Sequence, residues 1–208
     1  MKKIFAVFCA VALSMAMAFA QTPEEILERM EKEVARGDTE GMYMYTIMKM
    51  PLIGKVPAAC YSRGEKMRLE VTIGNIKTIE WEDKTTNWTY ISSENEITIS
   101  KKNPEEMSDA EENVEMMEGI ADGYDLSITK ETDSAWYILC TKKKTNKEKD
   151  DPKKIDLVVS KTSYLPLSFS TKISGVSLEI KNVSIGVSEA KVTFNRNEFP
   201  NAKIIDKR

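Results

Sequence analysis

The sequence predicts a mainly β protein of the α+β class: a highly curved, unclosed antiparallel β-barrel of about ten or more strands, with two helices as a lid over a hydrophobic cavity. Apolar and polar residues alternate over many short segments, as in strands with one buried face. Short polar turns join these segments, as expected between antiparallel neighbours. Only two stretches have helical spacing, and a sheet of so many strands must curl, which places one apolar face inside.

Residues 1–20 have the pattern of a signal peptide. Lys2 and Lys3 precede an apolar run over 4–17, and Ala18-Phe19-Ala20 provides a small-x-small cleavage site. The run is too short to span a bilayer comfortably, and no second apolar stretch follows it. We therefore expect cleavage after Ala20, export to the periplasm, and one domain over 21–208 without a stable membrane anchor.

The composition argues against several classes of function. Loss of Lys2 and Lys3 changes the formal net charge from -3 to -5, which argues against binding nucleic acid or, tightly, an anionic membrane. The chain has no histidine, which excludes His-dependent catalytic triads and zinc signatures. Glu80 and Glu82 share a strand face, which a solvated surface explains more simply than catalysis. We expect no enzymatic activity, no cofactor and no metal.

A capped amphipathic helix begins the predicted mature chain. Thr22 and Glu25 form a capping box, and Pro23 occupies the first helical position. Gly37 marks the end of the helix. Its apolar face, which we expect to lie on the sheet, consists of Ile26, Leu27, Met30 and Val34.

The segment from Gly41 to Pro51 predicts a strand that is apolar on both faces, so that both are covered. One face consists of Met42, Met44, Met48 and Met50. Methionine fills irregular cores and also lines surfaces that adapt to variable partners. An ordinary core and a deformable pocket therefore both stay open as interpretations of this face.

The later strands follow from the same alternation. Met67, Leu69 and Val71 form the apolar face of one of them, which we expect to share an interior with the methionines. The strands predicted after the methionine strand are 55–63, 66–73, 76–82, 87–91, 96–100, 124–130, 135–141, 155–159, 165–173, 176–185 and 191–194.

A second amphipathic helix is predicted over 103–119. Asn103 is its N-cap and Pro104 its first residue. We expect it to act as a lid over the interior through Met107, Ala110, Val114 and Met117.

Cys60 and Cys140 fall within predicted strands far apart in the sequence. An exported protein can form a disulfide if the two Cα atoms come within about 7 Å. Two small buried hydrophobic side chains are the alternative.

Two blocks of the chain resemble the outer-membrane lipoprotein carrier family (LolA-like, of the LolA–LolB–LppX superfamily fold). The first block contains Ser62-Arg63-Gly64, then Met67 and Leu69, then the spacing Asp83, Trp88 and Tyr90. The second contains Val192-Thr193-Phe194 and the closing segment 199–206. The chain departs from the family pattern at Gly64, at Met67 and at Lys84, which leaves the fold credible and the cargo open.

The resemblance implies a hydrophobic cavity that shelters acyl chains beneath a helical lid. The expected wall consists of Met42, Met44, Met48, Met50, Met67, Leu69, Val71, Trp88 and Tyr90, with Arg63 at the rim. The implied function is a periplasmic carrier of an acylated lipoprotein or lipid, acting as a monomer with possible envelope transport partners. The alternative is a non-catalytic envelope sensor or scaffold that binds protein, which a filled interior would favour.

Overall fold

The computed structural model describes residues 21–103, 119–149 and 151–208, and over these residues one sheet of twelve strands dominates the fold. The strands follow the spatial order β12-β6-β5-β4-β3-β2-β1-β11-β10-β9-β8-β7. Their bounds are β1 (Met42–Met50), β2 (Gly54–Arg63), β3 (Lys66–Ile73), β4 (Ile76–Glu82), β5 (Thr86–Ile91), β6 (Glu96–Lys101), β7 (Tyr124–Glu131), β8 (Ala135–Lys142), β9 (Lys154–Ser160), β10 (Pro166–Ile173), β11 (Val176–Ile185) and β12 (Lys203–Asp206). The order starts at β12 and ends at β7, so the predicted mainly β, unclosed sheet is confirmed.

Short turns connect most strands, and every pairing is antiparallel except that of β12 with β6. The helices of the described residues are α1 (Pro23–Ala35), α2 (Gly37–Glu40), α3 (Ile120–Gly123) and α4 (Glu189–Val192), with a 3-10 turn over Arg196–Glu198. Among the described residues, none of these helices has the length and apolar character needed to cross a bilayer.

Helix α1 covers one face of the sheet, which we call the α1 face. Its predicted capping box is present: Thr22 Oγ1 accepts a hydrogen bond from Glu25 N at 3.2 Å, and Glu25 Oε2 accepts one from Thr22 N at 3.2 Å. The predicted apolar face is fully buried, as Ile26, Leu27, Met30 and Val34 are each at most 2% exposed. These side chains join one core cluster with residues of β1 to β3 and β7 to β11, including Met44, Leu69, Ile138, Leu157 and Phe169.

The other face of the sheet, which we call the opposite face, carries a second cluster over β4 to β6. Trp81 is 1% exposed, and its ring meets Phe194 and Phe199 at centroid distances of 5.4 and 5.6 Å. Ile97, Ile99 and Ala202 complete the buried part of this cluster. The segment 188–206, which we call the C-terminal segment, thus covers an apolar patch that α1 does not reach.

The C-terminal segment is where the sequence prediction was wrong. A strand is predicted over 191–194, but α4 ends there at Val192, with Thr193 N donating to Glu189 O at 3.1 Å. Strand β12 was not predicted, because it has only four residues and pairs in parallel with a strand that is distant in the sequence, so no hairpin turn precedes it. The predicted second helix falls almost entirely on 104–118, so Met107, Ala110, Val114 and Met117 lie outside the described residues.

No disulfide joins Cys60 and Cys140, and both thiols are buried in the α1-face cluster. Burial raises the pKa of the Cys140 thiol to about 12, with the nearby Asp156 carboxylate adding to the effect. The Cys140 thiol is therefore neutral and unreactive near pH 7, and the two cysteines act as small core residues.

Candidate binding wall on the α1 face

The methionines of β1 share the α1 face with the apolar residues of β3. The strand register runs Met44–Cys60–Leu69 across β1, β2 and β3, and Thr46–Ala58–Val71 in the next row on the same face. Paired residues in an antiparallel sheet point to the same side. The α1 face of these three strands therefore holds all of Met42, Met44, Met48, Met50, Met67, Leu69 and Val71.

Burial on this face decreases along the strands toward one end of the sheet. Met42 and Met44 are 2% and 1% exposed beneath α1, whereas Met48 and Met50 are half-buried. The same change occurs on β3, from Met67 at 5% to Ile73 at 50% exposed. The apolar wall thus continues beyond the packed core instead of stopping with it.

We call the end of the sheet where β1 and β3 end the tip end, because the β1–β2, β3–β4 and β10–β11 turns all lie there. The half-exposed part of the wall lies toward this end and includes a residue of β11, Leu178, which pairs with Met48. The sequence reasoning missed Leu178, although the alternation Val176-Ser177-Leu178-Glu179-Ile180 carries the same signal as β3.

One polar atom interrupts the apolar wall. Thr46 is 6% exposed, and its Oγ1 makes no hydrogen bond among the described residues. Its neighbours in the row are Ala58 and Ile180, neither of which offers a side-chain partner. An unsatisfied buried hydroxyl costs free energy, so Thr46 is a position where a bound polar group would be stabilising.

Burial keeps two ionisable groups of the α1 face, the Tyr124 hydroxyl and the Cys140 thiol, uncharged near pH 7. Burial raises the pKa of the Tyr124 hydroxyl to about 12, and the negative charge of Asp151 acts in the same direction. This hydroxyl donates to Pro152 O at 3.0 Å. The acidic residues of this face lie on β4, where Glu80 and Glu82 pair with Leu69 and Met67, and Glu82 forms an ion pair with Lys102.

Trp88 and Tyr90 do not belong to this wall, which corrects the expectation from the sequence. Trp88 pairs with Trp81, and Trp81 pairs with Arg68, so these three side chains lie on the opposite face from Leu69. Trp88 stacks on Phe194 at 5.5 Å, and Tyr90 contacts Phe199 at 4.3 Å. The apolar side of the sheet changes from the α1 face on β3 to the opposite face on β4. Trp88 and Tyr90 therefore contact the C-terminal segment and not the wall.

Arg63 does not lie at the open part of the wall either, which corrects its predicted rim position. Its Nη1 donates to Glu40 O at 2.9 Å and to Val187 O at 2.7 Å, at the end of the sheet away from the tip end. Its Nε lies 3.9 Å from Glu189 Oε2. Arg63 therefore ties the end of α2 to the C-terminal segment.

Gly41 allows this close approach of the two chain segments. It has a φ of 84°, and a Cβ there would lie 2.5 Å from Val187 O. Its carbonyl accepts from Gly186 N at 2.8 Å. Asp83 also has a structural role: its Oδ1 accepts hydrogen bonds from Thr85 N and Thr86 N at 2.8 and 2.9 Å, which closes the β4–β5 turn.

An ion-pair group fastens the C-terminal segment over the opposite face. Glu70 lies within 2.9 Å of Arg68 Nε, 2.7 Å of Lys77 Nζ and 3.2 Å of Lys191 Nζ, while Arg68 Nη1 reaches Glu198 at 3.2 Å. Burial acts to raise the pKa of Glu70, but hydrogen bonds from Lys77 and Lys191 and the charge of Arg68 outweigh it, so the pKa is lowered. This group joins β3 and β4 to α4 and the 3-10 turn.

Several solved structures match this chain, at low sequence identity. An uncharacterized conserved protein from Thermus thermophilus has 16% identity and a TM-score of 0.45, covering 90% of this chain and 100% of its own. A LolA superfamily protein from Nitrosomonas europaea has 11% identity and a TM-score of 0.36, covering 86% of this chain and 100% of its own. The family named from the sequence is thus among the matching structures.

A chain of the Pseudomonas aeruginosa MucA/MucB complex also matches, with 14% identity and a TM-score of 0.44. The match covers 82% of this chain, which spans only 60% of that longer chain. No protein-family model matches the sequence, and no curated protein matches it.

Proposed function

We propose that this protein is an exported, non-catalytic binder or carrier of acylated molecules, which holds acyl chains against the methionine-rich wall of the α1 face. The observation that carries the proposal is the continuation of this wall, through Met48, Met50, Val71 and Leu178, beyond the part that α1 buries. The signal-peptide pattern of residues 1–20 supports a periplasmic location.

The driving force for such binding is transfer of methylene groups out of water. Each buried methylene contributes about 0.8 kcal/mol, so a chain of several methylenes along the wall is held strongly without any charged contact. Methionine side chains adapt to different shapes, which favours acyl chains of variable length over one fixed ligand. Thr46 Oγ1 is the polar group of the wall that an ester or amide of the cargo could reach.

The test is a titration of the delipidated protein with fluorescent acyl probes of increasing chain length. Affinity should rise with chain length until the half-exposed wall is filled. In the variant Met48→Gln, the affinity should fall about tenfold or more, because a polar amide replaces an apolar contact.

Ile47 supplies the matched control. It precedes Met48 on β1 and is also half-buried, but it points to the opposite face. Ile47→Gln should leave the probe affinity unchanged. Equal losses in the two variants would mean that the probe does not bind on the α1 face.

A protein-binding module of the envelope is the second candidate. It is favoured by the close packing of α1 on Met42 and Met44, which leaves that part of the α1 face filled by side chains. Absence of binding for every acyl length, together with a stable complex between the exported chain and an envelope protein, would select this candidate. Native mass spectrometry of the protein isolated from the envelope separates the two, because a carrier should retain a lipid.

A further inference from the structure

The turns at the tip end expose large apolar side chains. Leu52 and Ile53, in the β1–β2 turn, are 107% and 57% exposed, and Ile73 and Ile76, which flank the β3–β4 turn, are 50% and 46% exposed. Four of the six large apolar residues that stand out as exposed in the described part of the chain thus lie on neighbouring turns. Single exposed apolar residues are common, but a group at one end of a molecule indicates an interaction site.

Leu52 also has an unusual backbone. Its φ is 71°, a left-handed conformation that a leucine adopts only at a cost in free energy. Its fully exposed side chain makes no contact that could offset this cost within the described residues. Strain that keeps an apolar side chain in water points to a role outside the folded domain.

A row of four lysines crosses the opposite face beside these turns. Lys55 pairs with Lys49, Lys49 pairs with Ser177, and Ser177 pairs with Lys172, so the three lysines lie in one line across β2, β1 and β10. Lys154, at the start of β9, continues the line beyond Lys172. We call this set the lysine row; all four members are exposed, and none makes an ion pair within the described residues.

The direct pairing of Lys49 with Lys55 opposes folding, because like charges facing each other across two strands repel. An open depression of about 340 Å³ is lined by Lys49, Lys154 and Lys172 and also by the acids Asp156 and Glu179. Glu179 is paired with Lys181 at 2.9 Å, so it offsets the row only in part. An adjoining depression of about 470 Å³ adds Lys149 and Lys153 to the same basic end, with Asp151 beside them.

We propose that the tip end docks reversibly on an anionic lipid surface, with the apolar turns entering the interface and the lysine row facing the headgroups. This docking is independent of what the α1 face binds. Lysine is depleted at protein–protein interfaces but is the typical contact of juxtamembrane basic segments. A basic row behind apolar turns therefore fits a lipid surface better than a protein partner.

The dimensions agree with this arrangement. Lys49 precedes Leu52 by three residues, so the row lies at most about 10 Å behind the apolar turn, the length of three residues at the usual rise of a strand. Apolar groups of interfacial proteins enter the headgroup and acyl boundary to about 5–10 Å, which places the lysines at headgroup level. The net charge of -3 for the whole chain does not indicate this basic end. The four lysines are distant in the sequence, and only the pairing of the strands in the sheet brings them together.

The test is sedimentation of the exported chain with vesicles of phosphatidylcholine, with or without phosphatidylglycerol. Binding should require phosphatidylglycerol and should weaken as salt is raised. Each lysine near such a surface is worth roughly a fivefold change in partition, so Lys49→Gln/Lys55→Gln should reduce binding about 25-fold. Leu52→Ser should reduce it as well, at every salt concentration.

Matched controls exist at the other end of the sheet. Lys101 and Lys207 are exposed and lie away from the tip end, so Lys101→Gln/Lys207→Gln removes the same charge from the wrong place. Leu167, which is 48% exposed near the start of β10, is the control for Leu52. Lys101→Gln/Lys207→Gln and Leu167→Ser should both bind vesicles as the unchanged protein does.

Two results would overturn the proposal. One is that the unchanged protein fails to sediment with either vesicle. The other is that the tip-end and control pairs lose binding equally, which would reduce the effect to overall charge. If the tip end binds a protein and the chain does not sediment with vesicles, the proposal is likewise overturned.

Discussion

The two parts of this sheet bury different faces, and the difference separates the candidate binding surface from a purely structural one. From β3 through β1 to β7, the α1 face is apolar and packs beneath a helix, with Met48 and Met50 extending past the cover. On β4 to β6, the opposite face is apolar and is covered by the C-terminal segment, with Trp81 buried and the two phenylalanines partly buried against it. Aromatic residues in this protein therefore fix the C-terminal segment, while methionines and aliphatic residues form a wall whose outer part is half-buried.

The change of face has a visible cause in the sequence of β3 and β4. On β3, Leu69 and Val71 point to the α1 face, but their partners on β4 are Glu80 and Thr78. The apolar residues of β4, Ile79 and Trp81, instead pair with Glu70 and Arg68 on the opposite face. Because side chains alternate strictly along each strand, this one register moves the apolar side to the opposite face for β4, β5 and β6.

Replacement of Trp81 should produce the largest effect on stability. Trp81→Ala removes a ring that is 1% exposed and in contact with Phe194, Phe199 and Arg68, so the free energy of unfolding should fall by about 3–5 kcal/mol. Urea denaturation measures this loss. The acyl probe should still bind at full affinity under conditions where the variant is folded. A loss below about 1 kcal/mol would mean that the C-terminal segment does not depend on this cluster.

Met44 and Met48 test the gradient along the wall itself. Met44→Ala should lower the free energy of unfolding by about 2–5 kcal/mol, because its side chain is 1% exposed beneath α1. Met48→Ala, two side chains further along the same face, should cost clearly less stability and instead weaken probe binding. Equal stability losses in the two variants would contradict the decrease in burial toward the tip end.

The sequence predicted the sheet well, but it predicted only in part which residues of the candidate wall share a face, for physical reasons that differ between residues. Alternation fixes which residues of one strand share a face, which is why Met67, Leu69 and Val71 were grouped correctly with the methionines. It does not reveal the register between strands, and this is what put Trp88 and Tyr90 on the wrong wall. The long-range partners of Arg63, at Glu40 and Val187, likewise leave no local signal.

Acid should loosen the C-terminal segment before the α1 face. The lowered pKa of Glu70 means that its ion pairs stabilise the fold above the usual carboxyl value of 4.5, and that this contribution is lost as pH falls below it. Glu70→Gln should cost on the order of 1–2 kcal/mol at pH 7 and little at low pH. The fluorescence of Trp81 and Trp88 during acid titration reports the segment. If Glu70→Gln leaves the pH dependence of the tryptophan fluorescence unchanged, the ion pairs of Glu70 do not stabilise the C-terminal segment.

Thr46→Val should have the smallest effect and the opposite sign. It replaces an unsatisfied buried hydroxyl with a methyl group of similar size, so the protein should gain about 1 kcal/mol of stability. If the hydroxyl also meets the polar end of a cargo, affinity for an acyl ester should fall while affinity for a plain hydrocarbon probe stays the same. A loss of stability in Thr46→Val would show that the hydroxyl already has a partner.

The separation of a binding face from a structural face is tested most directly by photolabelling with an acyl chain that carries a diazirine, followed by mass-spectrometric mapping of the labelled residues. We expect labels on the α1 face near the tip end, at Met48, Met50, Val71 or Leu178, and none on the aromatic cluster of the opposite face. Labels concentrated at Trp88, Tyr90 or Phe199 would contradict it, because the acyl chain would then replace the C-terminal segment instead of occupying the methionine wall.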